Sequence, residues 1–219
     1  TSEWYAMDAA YRHMCTAYLR ARSVECDALE EPARAVADWA ENLYSNWFLA
    51  DANACWAAAA QGEWADCGYI DGPARQDEFY WHVLPAFVGS AKTTVVIVSD
   101  ALRYEVARDV AALLERERGG NVKVSSMQAV FPSITEVGMP ALLPHQVLEL
   151  AEDGAFVLAD DMSTATTPQR EAVLAHVEPT ARALRSSAYL NMAGTERKAM
   201  LKDSRLVYLY HNKIGRAHV

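Results

Sequence analysis

Asp100 directly follows the run Val95-Val96-Ile97-Val98-Ser99, and Ala101-Leu102-Arg103-Tyr104-Glu105 opens the next helical pattern. A carboxylate at the carboxyl end of a strand lies where open α/β sheets gather their ligands. It can bind a hard metal, accept a phosphoryl group or serve as a base. It can equally cap the following helix, and on position alone the cap is the commoner use of such an Asp. A second constellation, Ala-Val-Phe-Pro-Ser-Ile-Thr-Glu-Val-Gly-Met-Pro-Ala-Leu-Leu-Pro-His, runs from Ala129 to His145. Ser133 and Thr135 are its candidate nucleophiles. A hydroxyl is a weak nucleophile unless something stabilises its alkoxide. A metal ion held by Asp100 could do that, and a helix N-terminus would help. An ordinary Ser/Thr cap is the commoner use here too. Pro140 also complicates a helix starting at Thr135, because that position needs an N–H that proline lacks.

These residues need elements to hold them. Thr93 to Ser99 is a β-branched run of the kind expected in a strand buried on both faces. A helix should follow, with Leu102, Val106, Val110, Leu113 and Leu114 on one side and Gly119-Gly120 as its stop. Asn121 to Ser126 reads as the next strand, which places the second constellation on the same sheet edge as Asp100. Thr180 to Arg185 and Glu196 to Asp203 read as helical, and Leu206 to Tyr210 as another buried strand. Strand–helix–strand alternation implies a mainly parallel sheet covered by helices, so this part of the chain is α/β.

Before residue 90 the spacing is helical. Trp4, Met7, Tyr11, Met14 and Tyr18 form one stripe, and Val36, Trp39, Leu43 and Trp47 form another. Pro32 suits the first turn of the second helix. Asp51 could cap the alanine-rich stretch that Gln61-Gly62 would end. Residues 77–88 read as a further short helix that Pro85 kinks or ends. All six tryptophans fall within the first 81 residues, and tryptophan at helical spacing is read as core.

The chain has 219 residues, 20 basic and 29 acidic, for a formal charge of −9. With 52% hydrophobic and 22% charged residues its composition is that of a globular protein and not of a disordered tail. The acid excess argues against gripping nucleic acid by general electrostatics. Arg182, Arg185, Arg197, Lys198, Lys202 and Arg205 do form a local basic group, which is usually a solvated helix face. No apolar run approaches the ~18–20 residues that span a bilayer, so a membrane role is not expected. Cys15, Cys26, Cys55 and Cys67 contain no C-x-x-C pair and read as small buried hydrophobes. With no secretory signal visible at the start, they fit a cytoplasmic setting.

Two segments together carry a resemblance. Val-Ile-Val-Ser-Asp-Ala-Leu-Arg-Tyr-Glu at 96–105, followed by Pro-Ser-Ile-Thr-Glu-Val-Gly-Met-Pro-Ala-Leu-Leu-Pro-His at 132–145, resembles the PglZ family. Leu-Val-Tyr-Leu-Tyr-His-Asn-Lys-Ile at 206–214 does so too. That family belongs to the alkaline phosphatase superfamily and works in BREX bacteriophage defence. The resemblance implies a helical region over 1–77 and a partial alkaline-phosphatase-like domain over 78–213, an α/β fold with an incomplete, mainly parallel sheet. It implies that Asp100 is the first metal ligand and Thr135 a metal-activated nucleophile that also contacts the metal. Zinc or a similar divalent ion is the expected cofactor. The expected partners are other defence proteins, a methyltransferase or an ATPase, with DNA reached through the complex.

His145 closes the second motif and reads as structural. His211 and Asn212 belong to the third motif without an assigned ligand role. Thr1 starts within a helical pattern, and Ile-Gly-Arg-Ala-His-Val at 214–219 matches one translated frame of a sequencing adapter. The chain is therefore expected to be cut at both ends, with 214–219 a non-native tail and His218 no ligand. Such a fragment would lack further Asp and His ligands and would not turn over. The alternative is a catalytically idle scaffold that docks other defence components through its tryptophan-rich half.

Overall fold

A computed structural model of the chain describes residues 2–24, 27–88, 93–118, 121–152 and 154–211. The chain divides into two compact units, Thr1–Asp71 with Leu102–Ser125, and Gly72–Ala101 with Ser126–Val219.

The first unit is helical. It contains α1 (Ser2–Arg22), α2 (Asp27–Asn42), α3 (Ala50–Cys67) and α4 (Tyr104–Arg118). Aromatic rings join them: Tyr11 stacks on Tyr44 with centroids 3.8 Å apart, and Tyr5 meets Tyr104 at 4.9 Å. The Tyr44 hydroxyl donates to Asp8 and the Tyr11 hydroxyl to Glu41. His13 and Asp109 pair α1 with α4 at 3.3 Å.

Several sequence expectations change here. Helix α2 begins at Asp27, so Pro32 lies inside it rather than in its first turn. Only the first four N–H groups of a helix lack an intrahelical partner, and Pro32 lies beyond them, so the proline removes one intrahelical bond. Asp51 caps nothing. Leu43–Leu49 is a π-helix whose flanking residues Asn42 and Ala50 are both helical, so the chain runs unbroken from α2 into α3. Gln61-Gly62 does not end α3, which continues to Cys67. The Gly119-Gly120 stop expected after α4 lies outside the described residues.

The tryptophans whose side chains are described are not core. Trp4, Trp39, Trp47 and Trp56 of this unit are 39–67% exposed, and Trp81 of the second unit is 41% exposed. A helical unit this small has little interior, and Tyr44 is its buried hydrophobic residue among those described. Cys15 is half-buried and Cys55 exposed, both as free thiols, so Cys55 is not the buried hydrophobe expected.

The second unit is α/β. Its parallel sheet runs in the order β1 (Thr94–Ser99), β6 (Leu206–His211), β5 (Arg182–Arg185). Thr94 pairs with Leu206 and Ser99 with His211, while Arg182 pairs with Val207. The central run Leu206-Val207-Tyr208-Leu209-Tyr210 is buried throughout, as a strand covered on both faces requires. Strand β1 is different. Val96 and Val98 pack on the core, but Val95 and Ile97 are 41% and 65% exposed, so only one of its faces is buried. It lies at the edge of the described sheet, where pairing and cover come from one side.

Two more expectations are corrected here. Residues 121–126 form no strand, and only Gln128 makes a single parallel bridge, to Arg75. Residues 182–185 are the strand β5, not helix. Pairing with β6, plus a bond from Ala183 N–H to Glu171 Oε2 at 2.8 Å, overrides the helical propensity of Arg-Ala-Leu-Arg.

Helix α6 (Thr167–Val177) opens on a capping box in which Thr166 and Gln169 satisfy each other's backbone N–H groups. It buries Val173 and Leu174 in the core with Tyr80, Leu84, Leu143 and Tyr208. Short helices α7 (Ser186–Asn191) and α8 (Gly194–Asp203) lead into β6. A small antiparallel sheet of β2 (Leu148–Leu150), β3 (Val157–Ala159) and β4 (Met162–Ser163) completes the unit. The stretch before β1 is a π-turn over Phe79–Val83 and a 3-10 turn over Leu84–Ala86, consistent with a helix that Pro85 ends.

Candidate functional site

Asp100 stands one residue past β1, with its N–H 3.5 Å from the carbonyl of His211 at the end of β6. Ala101 then takes a left-handed conformation at φ 58, a strained choice for a residue with a Cβ. Helix α4 begins only at Tyr104, so Asp100 is not its N-cap. The capping alternative therefore does not account for this carboxylate.

Thr135 opens α5 (Thr135–Gly138), a single turn that passes into a 3-10 turn over Pro140–Leu142. That change resolves the difficulty with Pro140: the α-helix stops before an N–H is missed. Ile134 is the N-cap residue and supplies no side-chain cap, and the Thr135 hydroxyl points elsewhere. Thr135 Oγ1 donates to Asp100, lying 3.2 Å from Oδ1 and 3.3 Å from Oδ2. Residues 35 apart in sequence thus meet at the carboxyl end of the parallel sheet.

Both residues line a cavity of about 620 Å³. Phe79, Val96, Val98, Met139 and Leu142 form much of its apolar wall, and Gln76, Ser99 and Ser133 join Asp100 and Thr135 as polar members. Ser133 shares the cavity, but the hydroxyl bonded to Asp100 is that of Thr135. Below the wall, the Arg170 guanidinium donates to Met139 Sδ at 3.1 Å and lies 4.9 Å over the Tyr210 ring. Burial pushes the Tyr210 phenol up to about 12, against the opposing pull of Arg170, so it is neutral in the physiological range.

The remaining sequence candidates lie around this centre. His211 places Nδ1 3.3 Å from Ser99 Oγ, next to the strand end that carries Asp100. His145 is buried, with Nδ1 2.7 Å from the Leu143 carbonyl and its own carbonyl accepting from Trp81 Nε1 at 3.0 Å. It does not line the cavity. In the basic group, Arg182 pairs with Glu171 at 3.2 Å and Arg205 with Glu178 at 3.7 Å, which draws both from any continuous cationic surface. Asn212, His218 and the whole of 214–219 lie outside the described residues.

Gln76 is a member that sequence reasoning missed. Its Oε1 accepts from Val130 N–H at 3.2 Å and its Nε2 donates to the Gly138 carbonyl at 2.8 Å. An isolated glutamine before a helical turn carries no spacing signal, and its partners are backbone atoms far along the chain.

Carboxylate and hydroxyl oxygens suit a divalent metal, so the Asp100–Thr135 pair fits part of a metal's coordination shell. Among the described residues no three His, Cys, Asp or Glu side chains converge as a fuller ligand set. No helix among them is long and apolar enough to cross a membrane.

Comparison with known proteins agrees with this architecture. The family model for the BREX system PglZ alkaline phosphatase-like domain matches residues 79–218. The chain is 31% identical over 215 residues to the alkaline phosphatase-like protein PglZ of Bacillus cereus (strain H3081.97), covering 97% of this chain and 24% of that protein. It is 35% identical over 181 residues to the alkaline phosphatase-like protein BrxZ of Escherichia coli O9:H4 (strain HS), covering 81% of this chain and 21% of that protein. The chain thus spans about a quarter of the length of these curated relatives. No solved structure matches it. A parallel sheet with flanking helices, an Asp at its carboxyl edge and a match across most of both units lead to one conclusion: the chain belongs to the PglZ alkaline phosphatase-like family of BREX systems.

Proposed function

We propose that the protein carrying this chain is a metal-dependent phosphoester hydrolase of a BREX defence system, with Asp100 as a metal ligand and Thr135 as both nucleophile and metal contact. The observation that supports this reading is the Thr135 hydroxyl held 3.2 Å from the Asp100 carboxylate at the mouth of an apolar cavity. Zinc is the metal we favour. When bound, such an ion would polarise a phosphoryl oxygen and lower the pKa of a coordinated hydroxyl.

The chain's own part is positioning and bond exchange. Thr135 Oγ1 attacks phosphorus, the bond to the leaving oxygen breaks, and the Thr135 proton reaches the departing alkoxide through solvent. Water then cleaves the phosphothreonine, restoring the hydroxyl and releasing the phosphate. Thr135 is exposed, so solvent reaches its hydroxyl, and the apolar wall beside it can receive an uncharged part of the ester. Two oxygen donors bind a metal weakly, so this chain by itself is expected not to turn over.

The test is hydrolysis of a phosphomonoester and a phosphodiester by the full-length protein with divalent metal. Thr135→Ala should lose at least about 10³-fold in rate, as expected when a nucleophile is removed. Rates equal to those of the unaltered protein contradict the assignment.

The exposed tryptophans of the helical unit favour a second reading, a scaffold that docks a methyltransferase or ATPase of the same system in the cytoplasm. Under that reading Thr135→Ala leaves phage resistance intact, while Trp39→Ala and Trp47→Ala weaken co-purification of the partner.

A further inference from the structure

We propose that Gln76 is the positioning residue for the Thr135 turn, its single carboxamide clamping both ends of the loop that presents the hydroxyl to Asp100. The inference rests on the proposed role of Thr135 as nucleophile.

Four hydrogen bonds carry it. Gln76 N–H donates to the Gln128 carbonyl at 2.9 Å, and Gln128 N–H returns a bond to the Ala74 carbonyl at 2.7 Å. These join the Gln76 segment to the chain as it enters the loop. The side chain then takes hold twice, accepting from Val130 N–H through Oε1 at 3.2 Å and donating from Nε2 to Gly138 O at 2.8 Å. Thr135 lies between these two anchors, one turn before the second, and Met139 N–H bonds back to the Thr135 carbonyl at 3.1 Å. The path from clamp to nucleophile is therefore one turn of backbone.

The residue types at both ends fit the task. A clamp that gives one bond and takes another needs a donor and an acceptor at fixed separation, which the planar amide of Gln provides. An ionised Glu has no donor, and Lys or Arg has no acceptor. At the far end, a Cβ on residue 138 would sit 3.2 Å from Gln76 Nε2, closer than most such contacts, so glycine there leaves the amide room to reach the carbonyl. The segment that carries Gln76 is anchored as well: Arg75 pairs with Asp77 and, at 3.6 Å, with Glu78.

A small displacement of a nucleophile costs rate more than binding, because attack depends on near-contact geometry. Residues that orient a metal ligand from behind are typically worth about 10- to 100-fold in activity. Loss of the Gln76 clamp should therefore appear in kcat and leave KM nearly unchanged.

The experiment uses the full-length protein loaded with divalent metal, with bis(p-nitrophenyl) phosphate as the probe. Gln76→Ala removes both side-chain bonds. Gln76→Glu keeps the size of the side chain and the bond from Val130, and it sets an oxygen against the Gly138 carbonyl. Both variants should lower kcat by about 10- to 100-fold with KM within about twofold, while remaining folded at the assay temperature. Unaltered kcat in both, a change in KM alone, or a rate loss that tracks loss of folded protein in both overturns the clamp. Thr135→Ala is measured alongside. Full turnover by that variant overturns the nucleophile and this inference with it, whereas full turnover by the Gln76 variants beside an inactive Thr135→Ala overturns the clamp alone.

Discussion

Asp100 was visible in the sequence because a carboxylate followed a β-branched run, and the structure puts it one residue past β1. Of the two uses the sequence left open, cap or ligand, the geometry of the next residues removes the first. Ala101 turns left-handed and α4 starts at Tyr104, so the carboxylate meets the Thr135 hydroxyl instead of capping α4. Gln76 was invisible for the opposite reason: a hydrogen bond to backbone atoms leaves no pattern in residue type. If Asp100 is a ligand, Asp100→Asn keeps the shape and loses the charge. In the full-length protein that change should weaken divalent-metal binding by at least about tenfold in a calorimetric titration. It should leave stability within about 0.5 kcal/mol, because the residue is not part of the buried core. Unchanged affinity would remove Asp100 from the ligand set.

Among the elements, β6 was legible and β5 was not. Leu-Val-Tyr-Leu-Tyr can be little else than a buried strand, whereas Arg-Ala-Leu-Arg has helical propensity and becomes a strand only because β6 offers it a ladder. The run at 121–126 fails in the other direction, with strand-like residues but no ladder among the described residues. The tie between sheet and site is also at this scale. Tyr208 in β6 donates from its hydroxyl to the Leu142 carbonyl at 2.9 Å, just past the turn that carries Thr135. Tyr208→Phe should cost about 1–2 kcal/mol, read as a lower denaturant midpoint. Leu174, fully buried on α6, should cost about 2–5 kcal/mol when changed to alanine. Thr166→Ala, which breaks the α6 capping box, should cost about 1 kcal/mol. A Leu174→Ala cost no larger than that of Thr166→Ala would contradict the placement of the core.

At the scale of the whole molecule, the sequence separated a helical part from an α/β part, but it could not show that α4 keeps company with α1, since that depends on contacts such as Tyr5 with Tyr104. The buried tyrosines give a pH dependence to the α/β unit. Tyr210 titrates at about 12 in the folded chain, and its ordinary value is 10, because burial disfavours the phenolate. Its folded-state pKa is raised, so the stability it contributes is complete below pH 10 and is lost as pH rises toward 12. Tyr208, shifted upward by burial in the same way, adds to that loss. Chemical denaturation across this range should show falling stability, and Tyr210→Phe should flatten the fall. An equally steep fall in Tyr210→Phe would contradict the assignment of the effect to this phenol.

The central claim, that Thr135 is the group that attacks phosphorus, is tested most directly by acid-quenching the full-length metal-loaded protein during phosphoester turnover and mapping the phosphoryl group by peptide mass. The account predicts one phosphoryl group on the peptide containing Thr135. A phosphoryl group on another residue, or continued turnover with the Thr135 peptide unmodified, would contradict it.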